Sequence, residues 1–475
     1  MPSDKKVTVE VSEALVEAVK KMQSALDAGL AEIRREGVFE WKKTSAVVES
    51  AAAELERDAT RRLLQECDLD SPAIRVNGKR YTRVGRYAAP YYAKAGEVTV
   101  ERSLYREDGR RNGKTVDTIS LRTGAMDGWL PETVEAMAFH VQQTTSREAE
   151  AAARKSGRLP YSRSSFERVA HQLGALYDVD RKRVEDLLIE KYEPPDEAVT
   201  VSVQLDRFAV AMEEPKPRPP GRPKRNAPAR PIAVKWHMAF GGTVTLHDKD
   251  GEALDTIRYG RMPSSTADEV AAAMKEDVSA LLKKRPDLKV VRLTDGGGDV
   301  NRALAEHISA EALDMPNLAV TDLIDIWHVV EKLAPAAKIV FGESEAKRIL
   351  EQWKIRLLNS RHARGQIHEV LRASGKEHEH VGEEQPVHDA MTYLTNQSAR
   401  MNYVTARAQG LPVGSGNVEA TCKSLALRMR RPGSRWLDST GQHVLDLRAL
   451  ALSERFDEAI ALTLAPLRAT VRRAA

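Results

Sequence analysis

Two apolar runs that each lead into an aspartate constrain this chain more than any other feature. Val199-Thr-Val-Ser-Val-Gln-Leu205 reaches Asp206, and Leu288-Lys-Val-Val-Arg-Leu293 reaches Thr294-Asp295. Short β-branched runs of this kind are the mark of strands covered on both faces in a layered α/β domain. Between them, Ile232-Ala-Val-Lys-Trp-His-Met-Ala-Phe240 and Thr243-Val-Thr-Leu246 read as the second and third strands, joined at Gly241-Gly242. A helix is expected over 265–284, before the strand that reaches Asp295. Another helix follows it, then Leu318-Ala-Val-Thr-Asp-Leu323 as a fifth strand.

Three strands, helix, strand, helix, strand is the order of a ribonuclease H-like sheet, in which the first three strands are antiparallel. In such a sheet the first and fourth strands are neighbours, so Asp206 and Asp295 are expected at one rim. Residues 326–408 read as almost wholly helical, a large insertion. Leu411-Pro-Val-Gly-Ser-Gly416 then forms a Gly-rich turn before a last helix from about 417, which carries Glu419 in its first turn. A helix N-terminus there faces a phosphate well. Cleaving and joining phosphodiesters needs a nucleophilic oxygen, an in-line phosphate and a stabilised leaving oxygen. Two divalent ions roughly 3.5–4 Å apart supply all three when carboxylates hold them. Asp206, Asp295 and Glu419 are the candidate catalytic and metal-binding set, with Mg²⁺ or Mn²⁺ as the ions.

Upstream, residues 8–68 read as two helices, with Leu15, Val19, Met22, Leu26 and Ile33 near heptad spacing and Gly29 breaking the seam. Such a seam pairs helices within one chain or across a dimer. Asn77-Gly78 and Asn112-Gly113 are hairpin signals, and Glu97–Tyr105 alternates with period two, so 73–121 reads as a small antiparallel sheet. Residues 131–191 return to helix. Ser146 opens one helix, Gly157-Arg-Leu-Pro160 breaks it, and Ser164-Ser-Phe-Glu167 reads as a capping box for the next. Arg163 and Arg168 near that start make the pair compatible with a DNA-reading helix-turn-helix, or with any helical hairpin. The expected division is 1–70, 71–125, 126–195, 196–325, 326–410 and 411–475. It amounts to an α/β catalytic core with a large helical insertion, preceded by a helical and small-β DNA-binding region.

Charge is informative through its placement. The net charge of +4 is small for 475 residues, but 215–235 carries seven Lys/Arg and no acid. Residues 420–436 carry Lys423, Arg428, Arg430, Arg431 and Arg435, again with no acid. Local basic blocks of this kind are the footprint of a polyanion partner. No apolar run approaches the roughly 18–20 residues of a membrane span. Met1-Pro-Ser-Asp-Lys-Lys has no apolar stretch, so no secretory signal and a cytoplasmic, nucleoid-associated protein are expected. Cys67 and Cys422, the only cysteines, are too far apart in sequence to suggest a disulfide scaffold or a cysteine zinc site.

Gly414-Ser-Gly-Asn-Val-Glu-Ala-Thr-Cys-Lys423, followed by Arg428-Met-Arg-Arg-Pro-Gly-Ser-Arg-Trp436, closely resembles the last motif of the ISKra-type bacterial insertion-sequence transposases. The strands reaching Asp206 and Asp295-Gly296, and the block Asp325-Ile-Trp-His328-Val-Val-Glu-Lys-Leu333, match the family's other blocks in order over about residues 75–450. The resemblance implies a DDE transposase whose triad is Asp206, Asp295 and Glu419. Its partners would be double-stranded DNA, as terminal inverted repeats and as target, and a second copy of the chain. Two departures stand out: Arg207 follows Asp206 where the family more often has glycine, and the N-terminal hairpin region lacks the cysteines of many relatives. The second removes a zinc site; neither touches the triad.

Three further features stay open between two readings. Asp325 and His328 form a D-x-x-H pair like that of Mutator-like transposases, or Asp325 is a plain helix cap. Pro219-Pro-Gly-Arg-Pro-Lys-Arg225, with Arg222, Lys224 and Arg225, resembles an AT-hook for a narrow minor groove, or is a basic linker. Trp436, past the helix-ending Pro432-Gly433, stacks on an unpaired base or packs under the core. At the level of the whole chain, the alternatives are a ribonuclease H-like nuclease or resolvase and a domesticated DNA-binding regulator. The Gly-Ser-Gly block and the helical insertion argue against the first, the complete triad against the second.

Overall fold

The computed structural model describes residues 10–35, 38–215, 232–296 and 298–474. The chain forms two compact units, Met1–Arg181 with Asp457–Ala475, and Lys182–Phe456. The stretch 411–475, expected as one segment, is thus divided between them.

The first unit opens with α1 (Val16–Ile33) and α2 (Trp41–Cys67). The buried seam of α1 is Ala18, Ala25 and Gly29, while Leu26 and Ile33 of the expected seam are exposed. A side chain at Gly29 would come within 2.9 Å of Thr44 on α2, so small residues set how near the two helices lie. Then come β1 (Ala73–Val76), β2 (Lys79–Ala93), β3 (Gly96–Glu107) and β4 (Thr115–Asp117), all antiparallel to their neighbours. Asn77 and Gly78 make the first turn with φ of 47° and 87°, the left-handed pair that a two-residue hairpin demands. The alternation read in Glu97–Tyr105 is the burial alternation of β3. A last short strand, Val471–Arg473, pairs with β1 and completes a five-stranded sheet.

Helices α3 (Thr118–Thr123), α4 (Pro131–Gln143), α5 (Ser146–Lys155) and α6 (Arg163–Lys191) follow β4. Thr145 and Glu148 form a capping box on α5. The box expected at Ser164–Glu167 does not start α6. That helix begins at Arg163, where the Ser162 hydroxyl accepts the Ser165 N–H at 3.4 Å, and Glu167 accepts the Ser146 hydroxyl instead.

The second unit is built on β5 (Thr200–Pro215), β6 (Ile232–His247), β7 (Ala253–Arg261), β8 (Lys289–Thr294) and β9 (Val320–Ile324), in the order β7-β6-β5-β8-β9. The first three are antiparallel, and β8 and β9 run parallel to β5, so the first and fourth strands of this sheet are neighbours as expected. The strands themselves need correction. Gly241-Gly242 is no turn: β6 runs unbroken through it, and the third strand is β7, which the sequence reading missed. Nor does β5 end at Asp206; it continues to Pro215.

Helix α7 (Ala267–Lys284) starts at a Thr266–Glu269 capping box and buries Val270, Met274, Val278 and Leu281, one stripe of a 3.6-residue period. Helix α8 (Gly298–His307) follows β8. After β9, α9 (Ile326–Phe341), α10 (Glu343–Asn359), α11 (Ala363–Ala373), α12 (Pro386–Asn396) and α13 (Tyr403–Ala408) fill the stretch read as helical. They share a core that includes Val329, Leu333, Trp353, Ile367 and Leu394. Helices α14 (Gly416–Met429) and α15 (Asp438–Leu452) return to the sheet. No helix among the described residues is long and apolar enough to cross a membrane.

Candidate active site

Asp206 sits inside β5, half-buried, with its Oδ1 accepting the N–H of Arg207 at 2.6 Å. Its cross-strand partner on β6 is Gly241. A Cβ on Gly241 would lie 2.4 Å from the Cys422 sulfur, so only glycine lets α14 rest this close against the sheet. A second tie fixes the register of that helix. Gln204, fully buried on β5, accepts the Val418 N–H at 3.3 Å from the first turn of α14. The next residue is Glu419. These two contacts bring an acid more than two hundred residues downstream into the field of Asp206.

That field is legible in the acidity of Asp206. Burial pushes its carboxyl up and the Arg207 N–H pulls it back; the charges of Asp295 and Glu419 push it up further, while His328 opposes them. Four side chains from β5, the end of β8, α9 and α14 therefore share one electrostatic neighbourhood. Glu419 itself is exposed and pairs with Lys423 one turn on, at 2.5 Å. Asp295 follows Thr294, whose hydroxyl accepts Arg400 at 2.6 Å and the Gly296 N–H at 3.3 Å. Among the described residues, no three His, Cys, Asp or Glu side chains stand close enough to hold one metal ion.

Asp325 and His328 do different work. Asp325 is buried, caps α9 by accepting the Trp327 N–H at 2.8 Å, and accepts the Ser415 hydroxyl with its other oxygen. It is thus a helix cap that also ties down the Gly414–Gly416 turn before α14. His328 is near enough to act on the Asp206 charge, and its Nδ1 lies 3.3 Å from Glu331. Gln204, Ser415 and Arg400 were not singled out by sequence. Gln204 had a signal, a polar residue in an apolar strand. Tyr393 on α12 was also passed over. Its hydroxyl is buried without a hydrogen-bond partner, and burial pushes its pKa up to about 12, so it keeps its proton.

The expected DNA-binding residues divide. In the first unit Arg163 lies 3.5 Å from Glu167, and Arg168 stands over the Trp129 ring at 6.0 Å. In the second, Lys423 is exposed beside Glu419, and Arg430 is exposed, while Arg435 comes within 3.9 Å of Glu213. Arg431 is half-buried. Arg428 is buried over the Trp436 ring at 5.1 Å and does not face solvent. Trp436 is 9% exposed, donates its indole N–H to the Met429 carbonyl at 2.9 Å, and pairs its main chain with Ala211 and Glu213 of β5. The stacking reading of Trp436 is therefore corrected: the ring is part of the core. Arg222, Lys224 and Arg225, with the AT-hook-like segment, lie outside the described residues.

No family profile matches this chain. No curated protein matches it either. Among solved structures, it is similar to the Drosophila P element transposase strand transfer complex, at 14% identity and a TM-score of 0.25, over 70% of this chain and 83% of that one. It is also similar to the Mos1 transposase paired-end complex with left transposon end, at 14% identity and a TM-score of 0.16, over 65% and 84%.

Proposed function

We propose that this chain is a DDE transposase on a ribonuclease H-like core, cleaving and joining DNA strands at the ends of an insertion sequence. The observation that carries the reading is the convergence of charge at Asp206. Acids from the end of the neighbouring parallel strand and from the first turn of α14 act there on the acid of the central strand. The strand order β7-β6-β5-β8-β9 and the resemblance of Gly414–Trp436 to the last motif of ISKra-type transposases support the same reading.

The donor chemistry fits Mg²⁺ or Mn²⁺. The set is all carboxylate oxygen, and one member is held where burial and like charge oppose its ionised form, a conflict a divalent cation relieves. Asp206, Asp295 and Glu419 would hold the ions, which when bound supply Lewis acidity and a nucleophilic oxygen at neutral pH. Mg²⁺ keeps part of its shell for substrate phosphates, so phosphate oxygens of the DNA complete the ligand set in this reading; among the described residues no three such side chains close on one point. Lys423 holds a positive charge against Glu419, the acid of α14 that would give an oxygen to an ion. Ser415 and Asp325 fix the turn from which α14 would present its N-terminus to the phosphate. The partners are the terminal inverted repeats, target DNA and a second copy of the chain on the DNA.

The test is strand joining. The protein is incubated with Mg²⁺ or Mn²⁺ and the terminal repeats of its element, and joined products are resolved on a gel. Asp206→Ala, Asp295→Ala and Glu419→Ala should each lower the rate by several orders of magnitude while end binding persists. Full activity in Glu419→Ala sinks the triad.

A further inference from the structure

The β5–β6 pair outruns the rest of its sheet. β8 pairs with β5 only over Thr200–Val203, and β7 pairs with β6 only over Phe240–His247, yet the β5–β6 ladder continues to Pro215 and Ile232. Beyond Phe208 and Ala239 a two-stranded ribbon remains, with the Trp436 main chain set against β5 at Ala211 and Glu213. Among the described residues no strand covers the outer edge of β6 over 233–239.

One face of this ribbon is apolar and bare. Val234, Trp236 and Met238, two residues apart and so on one side, are 47%, 62% and 48% exposed. Opposite Trp236 and Met238 stand only Ala211 and Ala209, and opposite Val234 stands Glu213, whose charge Arg435 meets at 3.9 Å. The Arg430 guanidinium lies over the Trp236 ring at 5.8 Å and is anchored by its Nε–H on the Ala209 carbonyl at 2.7 Å. A free strand edge with a row of exposed apolar side chains is what sheets ordinarily avoid, so a partner is called for. Charge says which. The sequence between the two strands, 216–231, holds six Lys/Arg and no acid, and Arg430, Arg431 and Arg435 come from the chain beside the ribbon.

We propose that the β5–β6 ribbon is a DNA arm that lies in a groove of duplex DNA. Val234, Trp236 and Met238 form the apolar face that meets sugars and base edges, and Arg430 meets a phosphate. A two-stranded ribbon has the width the major groove admits. The inference rests on the reading that this chain works on DNA, and it adds a surface that the carboxylates do not supply. Trp236 lies five residues along β6 from the glycine opposite Asp206, about 17 Å at ~3.4 Å per residue, or about five base pairs. The arm would therefore grip duplex flanking the reacting phosphate.

The experiment is equilibrium binding of the full chain to a labelled duplex of about 30 base pairs, in chelator so that no chemistry occurs, across a salt series. Trp236→Ala should weaken binding about tenfold or more, with an unchanged melting temperature. Arg430→Gln should lower the slope of log K against log salt by about one unit. Ile355→Ala, an exposed apolar side chain on α10, is the control and should change neither. Trp236→Ala binding within about twofold of wild type overturns the proposal, as does a wild type that does not bind the duplex. A DNA-free shift in sedimentation with unchanged DNA affinity in Trp236→Ala also overturns it, because a second copy of the chain then covers the ribbon. A wild type that binds through Trp236 but never joins strands leaves the arm standing and removes the transposase reading.

Discussion

Asp206 carries a charge where the fold opposes charge. Its carboxyl is pushed above the ordinary 3.8 by burial and by its two acidic neighbours. The folded state thus binds its proton more tightly than the unfolded state. The stability this group contributes is present below 3.8 and is lost as pH rises through the raised value. At neutral pH without divalent cations, Asp206→Asn should therefore raise the melting temperature, and the gain should fade in acid. Mg²⁺ should raise the wild-type melting temperature and do so less for the variant. A pH profile parallel to wild type removes the electrostatic account. Trp436 teaches the opposite lesson. Beside a basic motif, a tryptophan reads equally as a base-stacking or a core residue, and only its bond to the Met429 carbonyl and its burial decide. Trp436→Ala should cost about 3–5 kcal/mol in denaturant unfolding, with Arg428 left over a void. No nicked or melted DNA end should rescue its activity; rescue in a normally stable variant revives the stacking role.

At the level of elements, what could be read was whatever has a strong local pattern. The apolar runs before Asp206 and Asp295, the alternation of β3, the capped α7 and the helical stretch after β9 all appear where their periodicity put them. Errors came where distant packing overrides local pattern. Gly241-Gly242 looks like a turn in isolation, but the glycines are there because α14 and α7 press on that part of β6. β7, Ala-Leu-Asp-Thr-Ile-Arg-Tyr-Gly-Arg, hides its strand behind charges that find partners: Arg261 reaches Asp446 of α15 at 3.2 Å. α1 buries alanines rather than its leucine and isoleucine because α2 lies close. One link between elements was invisible in sequence and is open to measurement. His247 of β6 donates through Nδ1 to the Gly251 carbonyl at 3.0 Å, so its Nε2 accepts from Ser202 of β5 at 2.8 Å. Burial pushes its pKa from 6.5 down to about 4. Above 6.5 the ring is neutral in both states; below it the unfolded chain takes up a proton that the folded one refuses. Stability should fall by about 1.4 kcal/mol per pH unit between about 6.5 and 4, and then level off. His247→Gln should remove that slope from a urea titration, and an unchanged slope assigns the acid sensitivity elsewhere.

For the molecule as a whole, the least local feature is the meeting of distant ends of the chain within the first unit. Val471–Arg473 adds an antiparallel strand to β1, with Ile74 opposite Arg473 and Val76 opposite Val471. Val471 and Ala469 also pack on the cluster of Ile74, Val76 and Tyr105. No pattern in the last residues, Ala-Thr-Val-Arg-Arg-Ala-Ala, announces a strand, because its stability comes from a partner nearly four hundred residues upstream. Ending the chain at Arg468 removes that edge strand and uncovers an apolar cluster. With net hydrogen bonds worth about 0.5–1.5 kcal/mol each and a buried valine about 1.5–3, the loss to the first unit should be about 2–5 kcal/mol. The carboxylate site and its sheet belong to the second unit and share no strand with the segment removed. Hydrogen exchange distinguishes the two. Amides of β1 and β2 should lose protection in the shortened chain, while those of β5 around Val201–Leu205 keep it. Equal loss across both sheets would mean that the two units unfold as one, and that the terminal strand supports the site as much as it supports β1.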